Sequence, residues 1–303
     1  MSHIEQSDGF PAPVAPAGQT GESTGAARWR TDWDSKIEPV SGNGWVNAVA
    51  STVLDGRAVA VTAGGDGTAR VWDLAAGEQI GQMLELYRGP VNAVAATVLN
   101  GRPVAVTAGD DGTARLWDLA TCEQIGDHLV SAYSDVWAVA TAVPDGRPVA
   151  VTSEAEGPLQ VIDLADGRPL GELTGHDGPV PAVATTVLDG RPIAVTAGAD
   201  DTMRVWDLTT CEQLCSRPTT EPSAMSAGLE DGRPVAVTLA QAVLADAPRH
   251  DITDHVLRVW DLTGREPAGQ VVDGPWSSGA QALTPRGRLL VSSCAGLAAL
   301  THH

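Results

Sequence analysis

Short apolar runs alternate with glycine-centred turns along most of this chain, and the alternation repeats. Val46-Asn-Ala-Val-Ala50 is followed by Asp55-Gly56, a β-branched stretch, a Gly-Asp-Gly turn and then Val71-Trp-Asp-Leu74. The same order returns with apolar starts at Val91, Val136 and Val180. Its turns return at Asn100-Gly101, Asp145-Gly146, Asp189-Gly190, Asp231-Gly232 and Arg286-Gly287. Asx-Gly dipeptides accept the positive φ of two-residue hairpins, so the apolar runs on either side of each are expected to pair antiparallel. Runs such as Val104-Ala-Val-Thr107 are apolar at successive positions, the pattern of a strand covered on both faces. Polar stretches such as Gln79-Ile-Gly-Gln82 predict outer strands.

The Val-Trp-Asp-Leu segment recurs as Leu116-Trp-Asp-Leu119, Val161-Ile-Asp-Leu164, Val205-Trp-Asp-Leu208 and Val259-Trp-Asp-Leu262. Positions 72, 117, 162, 206 and 260 are therefore 45, 45, 44 and 54 residues apart. A period near 45 holding four short strands is that of a propeller blade. On these residues the chain resembles the WD40-repeat family, and the resemblance runs over about residues 29–303. Its Ala-, Gly-, Val- and Arg-rich composition suggests a bacterial, actinobacterial-like member. The resemblance implies an all-β propeller of four-stranded antiparallel blades; the count of repeat units below makes it six-bladed, and a seventh blade would need hidden strands in residues 1–28.

It also implies a structural hydrogen-bonded tetrad in each blade: Thr on strand b, Asp in the b–c turn, Trp on strand c and His in the d–a loop. The full set falls on His176, Thr196, Asp200 and Trp206. Three members fall on Thr62, Asp66 and Trp72, and three on Thr107, Asp111 and Trp117, with Gly42 or a neighbour and Tyr87 at the His positions. Blade 5 offers Thr238, Asp254 and Trp260; blade 3 departs most, with Thr152, Glu156 and Ile162. Polar groups buried under a packed blade must satisfy one another. The Thr, His and Asp of blade 4 are accordingly read as structural, not as a catalytic triad.

Six a–b units can be counted, the last with Leu289-Leu-Val-Ser292 as strand b. Near the N-terminus, Trp33-Asp34 and Lys36-Ile-Glu-Pro-Val40 read as a spare outer strand without inner partners. The two incomplete ends are expected to close the sixth blade together, which removes the sheet edges. Residues 1–28 are Pro-, Gly- and Ala-rich without alternation and are expected to be a disordered tail, leaving 29–303 as the propeller.

Composition narrows the partners. Net charge is −19, which repels nucleic acid and anionic lipid, so neither is expected as a partner. Nine of the twelve aromatic residues are Trp, which points to assigned positions rather than generic core filling. No apolar run is long enough to span a bilayer and Met1–Thr20 lacks a secretory pattern, so a cytoplasmic protein is expected. The four cysteines form no CxxC pair; Cys122 and Cys211 occupy matching Thr-Cys-Glu-Gln segments and are read as free thiols.

Candidate binding residues cluster in the d–a and b–c loops, the top of such propellers. Tyr87, Arg88, Tyr133 and Asp177 lie in d–a loops. Blade 5 exceeds the period by about ten residues between Ala240 and Asp254, and loops that depart from a repeat are functional suspects. That insertion carries Arg249, His250, Asp251 and His255, of which His250, Asp251 and His255 have donor types suited to a transition metal, although no metal or cofactor is assigned. The a–b turns carry Arg57, Arg102, Arg147, Arg191, Arg233 and Arg288 at one offset; on a closed ring they would line the opposite face as a basic circle able to hold an anionic segment, but each is expected to pair with its neighbouring turn Asp. No nucleophile elbow, Walker loop, HExxH helix or dinucleotide fingerprint occurs. The expectation is a monomeric, non-catalytic scaffold for a protein or peptide partner. A metal-assisted propeller enzyme and a small-molecule or phosphopeptide receptor are the alternatives.

Overall fold

A computed structural model of the protein describes residues 29–31, 46–85, 88–131, 134–155, 157–219, 222–230, 233–241, 255–263, 271–274, 281–283, 289–293 and 296–302. The segment 1–28, the expected strand at 33–40, Gly42, Tyr87, Tyr133, Glu156, Arg249, His250, Asp251, Asp254, Arg288 and Cys294 lie outside those residues.

Each repeat folds into a sheet of antiparallel strands a to d in chain order. Blade 1 comprises Val46–Leu54, Arg57–Gly64, Thr68–Asp73 and Glu78–Glu85. Blade 2 comprises Val91–Leu99, Arg102–Gly109 and Thr113–Asp118, with an outer edge split into Glu123–Gln124 and Val130–Ser131. Blades 3 and 4 run Val136–Ala142, Val149–Glu154, Leu159–Asp163, Pro169–Leu173 and Ala182–Leu188, Arg191–Ala197, Thr202–Asp207, Gln213–Pro218. Blade 5 runs Pro222–Glu230, Arg233–Gln241, His255–Asp261 and Val271–Gly274. Where the sequence predicts six blades, these five are built from consecutive strands. A further four-stranded sheet joins the chain's two ends: Gln281–Leu283, Leu289–Ser293 and Gly296–His302, with Trp29–Thr31 at the edge beside Leu300–His302. The N-terminal strand thus begins ahead of the expected 33–40 segment, on a stretch where Trp29 and Thr31 supply the aromatic and β-branched residues strands favour.

The hairpin turns follow from their dipeptides. Asp55, Asn100, Asp145 and Asp189 have φ of 50–51° and the glycines after them 77–78°, so both central residues are left-handed, as two-residue hairpins require. Beyond its first two residues strand b is buried in blades 1, 2 and 4, for example Val59 and Val61 at 0% exposure, because adjacent blades cover both its faces.

The core lies between sheets. Trp117 of blade 2 packs with Val59, Val61, Val71 and Leu84 of blade 1. Trp206 of blade 4 packs with Val149, Val151, Val161 and Leu173 of blade 3, and Trp260 of blade 5 with Ile193, Val195 and Met203 of blade 4. Ile162 fills the same place between blades 3 and 2. The large apolar residue at this strand c position, Trp in blades 2, 4 and 5 and Ile in blade 3, therefore joins each of these blades to the preceding one.

A second contact repeats along the c–d turns. Cys122 and Cys211 adopt left-handed φ of 58° and 59° and press against glycines in strand d of the preceding blade. A Cβ at Gly81 would lie 2.6 Å from Cys122 Sγ, and one at Gly171 2.7 Å from Cys211 Sγ. Both thiols are free, and burial pushes their ionisation upward, which lowers their share of the reactive thiolate. Strands a touch around the centre of the ring, where Asn47 and Asn92 donate to Val91 and Val136 carbonyls and Thr141 and Thr185 donate to Ala96 and Thr141 carbonyls.

Candidate functional site

In blade 4, hairpin geometry brings four side chains into one chain of hydrogen bonds. Strand c pairs with strand b so that Trp206 lies opposite Ala194, and its Nε1–H donates to Thr196 Oγ1 at 2.8 Å. Thr196 lies 2.7 Å from His176 Nε2, and His176 Nδ1 lies 3.0 Å from Asp200 Oδ1. With Nδ1 protonated, every donor finds an acceptor: indole to hydroxyl, hydroxyl to imidazole, imidazole to carboxylate. The His176 side chain is 3% exposed, so both ring nitrogens are committed and neither faces solvent. A Cβ at Gly198 would sit 2.5 Å from His176 Nδ1 and 2.7 Å from Asp200 Oδ1, so the imidazole fits because residue 198 has no side chain.

Burial pushes the His176 pKa below its ordinary value, an effect that the Asp200 carboxylate opposes without overcoming. Burial alone would raise Asp200; bonds from Thr202, the Asp177 amide and His176 outweigh it and hold the carboxyl well below the usual range. Both shifts favour folding at neutral pH. His176 is neutral in the fold, so its contribution is complete above about pH 6.5 and declines as the pH falls below it. Asp200 adds a separate loss below about pH 4. The thermal midpoint is therefore expected to drop between pH 7 and 5.5, and His176→Gln should flatten that part of the profile while leaving the acid limb. Equal slopes in the two proteins would contradict this assignment.

Blades 1 and 2 hold their turn Asp differently. Asp66 accepts from the Thr68 amide and hydroxyl at 3.0 and 2.8 Å and from Arg70 at 3.2 Å. Asp111 accepts from the Thr113 amide and hydroxyl at 3.0 and 2.6 Å and from Arg115 at 2.9 Å. In blade 4, Thr202 and Arg204 make the same contacts beside the histidine. The strand c arginine thus supplies the positive partner of the turn Asp in all three blades. The signal was present in the sequence as Asp-x-Thr-x-Arg-x-Trp at 66–72, 111–117 and 200–206. Trp72, Trp117 and Trp260 donate to Thr62, Thr107 and Thr238 at 2.9, 2.7 and 2.9 Å. In blade 3, Ile162 brings no donor, and the fully buried Thr152 hydroxyl has no partner among the described residues.

At the opposite end of the blades, the expected pairing of the a–b turn arginines with turn Asp residues is corrected. Arg57, Arg102, Arg147 and Arg191 pair with Asp73, Asp118, Asp163 and Asp207, the Asp of each Trp-Asp (or Ile-Asp) pair. The register explains this in blade 1: Val59 lies opposite Asp73, so Arg57, two residues earlier on the same face, reaches the carboxylate at the end of strand c. The same carboxylate accepts the Ala75 and Ala76 amides of the c–d turn. Those amides, Ala76 first, hold Asp73 below the usual carboxylate range with help from Arg57. Each of these four guanidiniums is already paired, so the arginines do not add up to an unpaired basic ring.

On the top face, Arg88 and Asp177 are exposed, and Asp177 gives its amide to Asp200. The backbone of His255 lies in strand c of blade 5, opposite Gln241. One top-face residue was missed altogether. Trp137, on strand a of blade 3, is 36% exposed at a bulge, in the position held by Asn47 and Asn92 in blades 1 and 2. A cavity of about 630 Å³ opens beside this blade, lined among others by Ala155, Leu159, Leu173, Gly175, Pro179 and Val180. No helix among the described residues is long and apolar enough to cross a membrane.

Three stretches, residues 35–73, 81–118 and 167–207, match the family model described as WD domain, G-beta repeat. They contain Trp72, Trp117 and Trp206, and the third includes the complete His176 set; strands a to c of blade 3, with Ile162, fall between the second and third. No curated protein matches the chain. The chain carries WD40 repeats on an all-β propeller of four-stranded antiparallel blades.

Proposed function

We propose that this protein is a non-catalytic interaction scaffold that binds a protein or peptide partner through its top face. One observation carries the reading: the top loops are braced to one another. In blades 2, 3 and 4 the b–c turn donates an amide to the loop entering the same blade, Asp110 to Pro90, Ala155 to Asp135 and Ala199 to Pro179, at 2.8–3.1 Å. Such a rim holds exposed side chains, Arg88, Trp137 and Asp177 among them, in fixed positions, and a partner meeting a pre-ordered surface loses less entropy on docking. In blade 4 the Thr, His and Asp, residue types shared with hydrolytic triads, are engaged with one another instead.

The same reading takes the sheet joining the chain ends as a closing sixth blade. Its inner strand touches strands a of both blade 5 and blade 1, which supports a closed ring. The propeller then spans 29–303, with 1–28 as a tail, in a monomeric protein of the bacterial cytoplasm. Affinity capture from native cells with Arg88→Glu/Asp177→Lys against wild type tests the function. A partner held by wild type and lost by the folded variant is the expected result; no specific partner for either protein overturns the scaffold reading.

A further inference from the structure

Blade 3 departs from its neighbours at several top-face positions together, and duplication of a repeat does not account for such departures. Blades 1, 2 and 4 carry an arginine on strand c, Arg70, Arg115 and Arg204, against the turn carboxylate. Blade 3 carries the neutral Gln160 there. Blades 1, 2 and 4 have Gly64, Gly109 and Gly198 at the end of strand b; blade 3 has Glu154. In blade 4, a Cβ at that position would meet the imidazole and carboxylate, so the Glu154 side chain grows from the place nearest the space that His176 and Asp200 fill. Blade 3 has thus lost a cation and gained an anion.

Glu154 is half-buried, and its carboxylate has no hydrogen bond or ion pair among the described residues. Burial pushes its carboxyl up, the behaviour of an anion lacking its counter-charge. It lies opposite Val136 on the ladder, and the next residue on strand a is the bulged, exposed Trp137. Bulges re-aim side chains, and the strands a of blades 2, 3 and 4 bond to one another around the centre of the ring, which places Trp137 at its top rim. The adjoining cavity begins at Ala155 and is walled largely by apolar and glycine residues.

We propose that the top rim of blade 3 receives an arginine or lysine side chain of the protein partner, between the Trp137 ring and the Glu154 carboxylate. The inference rests on the scaffold reading and gives that surface a partner chemistry. The partner's cation gives Glu154 a positive partner, as Arg70, Arg115 and Arg204 give one to the turn Asp of their own blades. The indole face attracts a cation through its quadrupole, and the carboxylate beside it supplies the charge. The cavity that begins at Ala155, lined by Leu159, Leu173 and Val180 together with Thr174 and His176, offers room for the side chain flanking that cation. A net charge of −19 favours approach of a basic segment.

The test uses the full chain and two pools of capped nonapeptides, one with arginine or lysine fixed at the centre and one with citrulline or norleucine there. The variants are Trp137→Asn, which restores the residue found in blades 1 and 2, and Glu154→Gln; both are checked for an unchanged melting profile. Wild type is expected to retain the cationic pool roughly tenfold over the neutral one, each variant to lose most of that preference, and retention to weaken with added salt. Equal retention of the two pools by wild type, or a preference unchanged in both variants, overturns the proposal. A cellular partner still captured by both variants also overturns it while leaving the scaffold reading in place. Failure to capture any partner with wild type removes the scaffold reading itself.

Discussion

Replacing Trp206 with Ala is expected to destabilise the protein by about 3–5 kcal/mol, the range for emptying a fully buried aromatic site. The indole is 1% exposed and spans two blades: its edge reaches Thr196 in its own blade, and its body packs on Val149, Val151, Val161 and Leu173 of blade 3. Truncation opens a cavity at the seam and leaves Thr196 and His176 without their cover. His176 lies with its ring centroid 6.2 Å from that of the indole, so the whole chain of bonds loosens. Trp206→Phe keeps most of the volume and removes one donor, for which the expected cost is about 1–2 kcal/mol. Chemical denaturation of the three proteins separates packing from hydrogen bonding. An Ala variant no weaker than the Phe variant would show that the seam is not where this blade is held.

The second large effect is expected from Asp111→Ala, at about 3–5 kcal/mol, because it removes the counter-charge of a buried guanidinium. The Arg115 and Asp111 side chains are 8% and 12% exposed and 2.9 Å apart, with Thr113 bonded to both. Removing one partner costs far more than removing the pair, since a pair replaced by apolar groups leaves no charge to solvate. The double variant Asp111→Ala/Arg115→Met is therefore expected to recover most of the loss. Arg102→Ala serves as the contrast: its side chain is 75% exposed opposite Asp118, and water screens that pair, so its loss should be small. A double variant as unstable as Asp111→Ala alone would count against a coupled pair.

Much of the fold was legible because its causes are local. A Trp ten residues after a Thr, across one hairpin, must lie near it on the ladder, and Trp72, Trp117 and Trp206 all stand at that distance from Thr62, Thr107 and Thr196. Asp-Gly and Asn-Gly dipeptides set their own turns through positive φ. The arginines were misread because pairing was sought with the nearest carboxylate in sequence. The ladder instead carries Arg57 past Asp55 to Asp73. Arg70, Arg115 and Arg204 went unnoticed as a set because a charged residue in a strand looks like a solvated face. Their burial shows only when the next blade covers them.

Sequence alone determined the repeat, the strand order within it, the hairpin turns and the residues able to form a tetrad, since all of these are set within a repeat or by its recurrence along the chain. Tertiary structure decided which of those groups are used up and which remain free. Stacking blade on blade buries Trp206 and His176 and commits both imidazole nitrogens, whereas the bulge after Val136 leaves Trp137 exposed, and Glu154, opposite Val136, has a carboxylate unpaired among the described residues. The physical reason is that burial and pairing are properties of the packed ring: the same residue types serve as cement between blades in one repeat and as an open surface in the next.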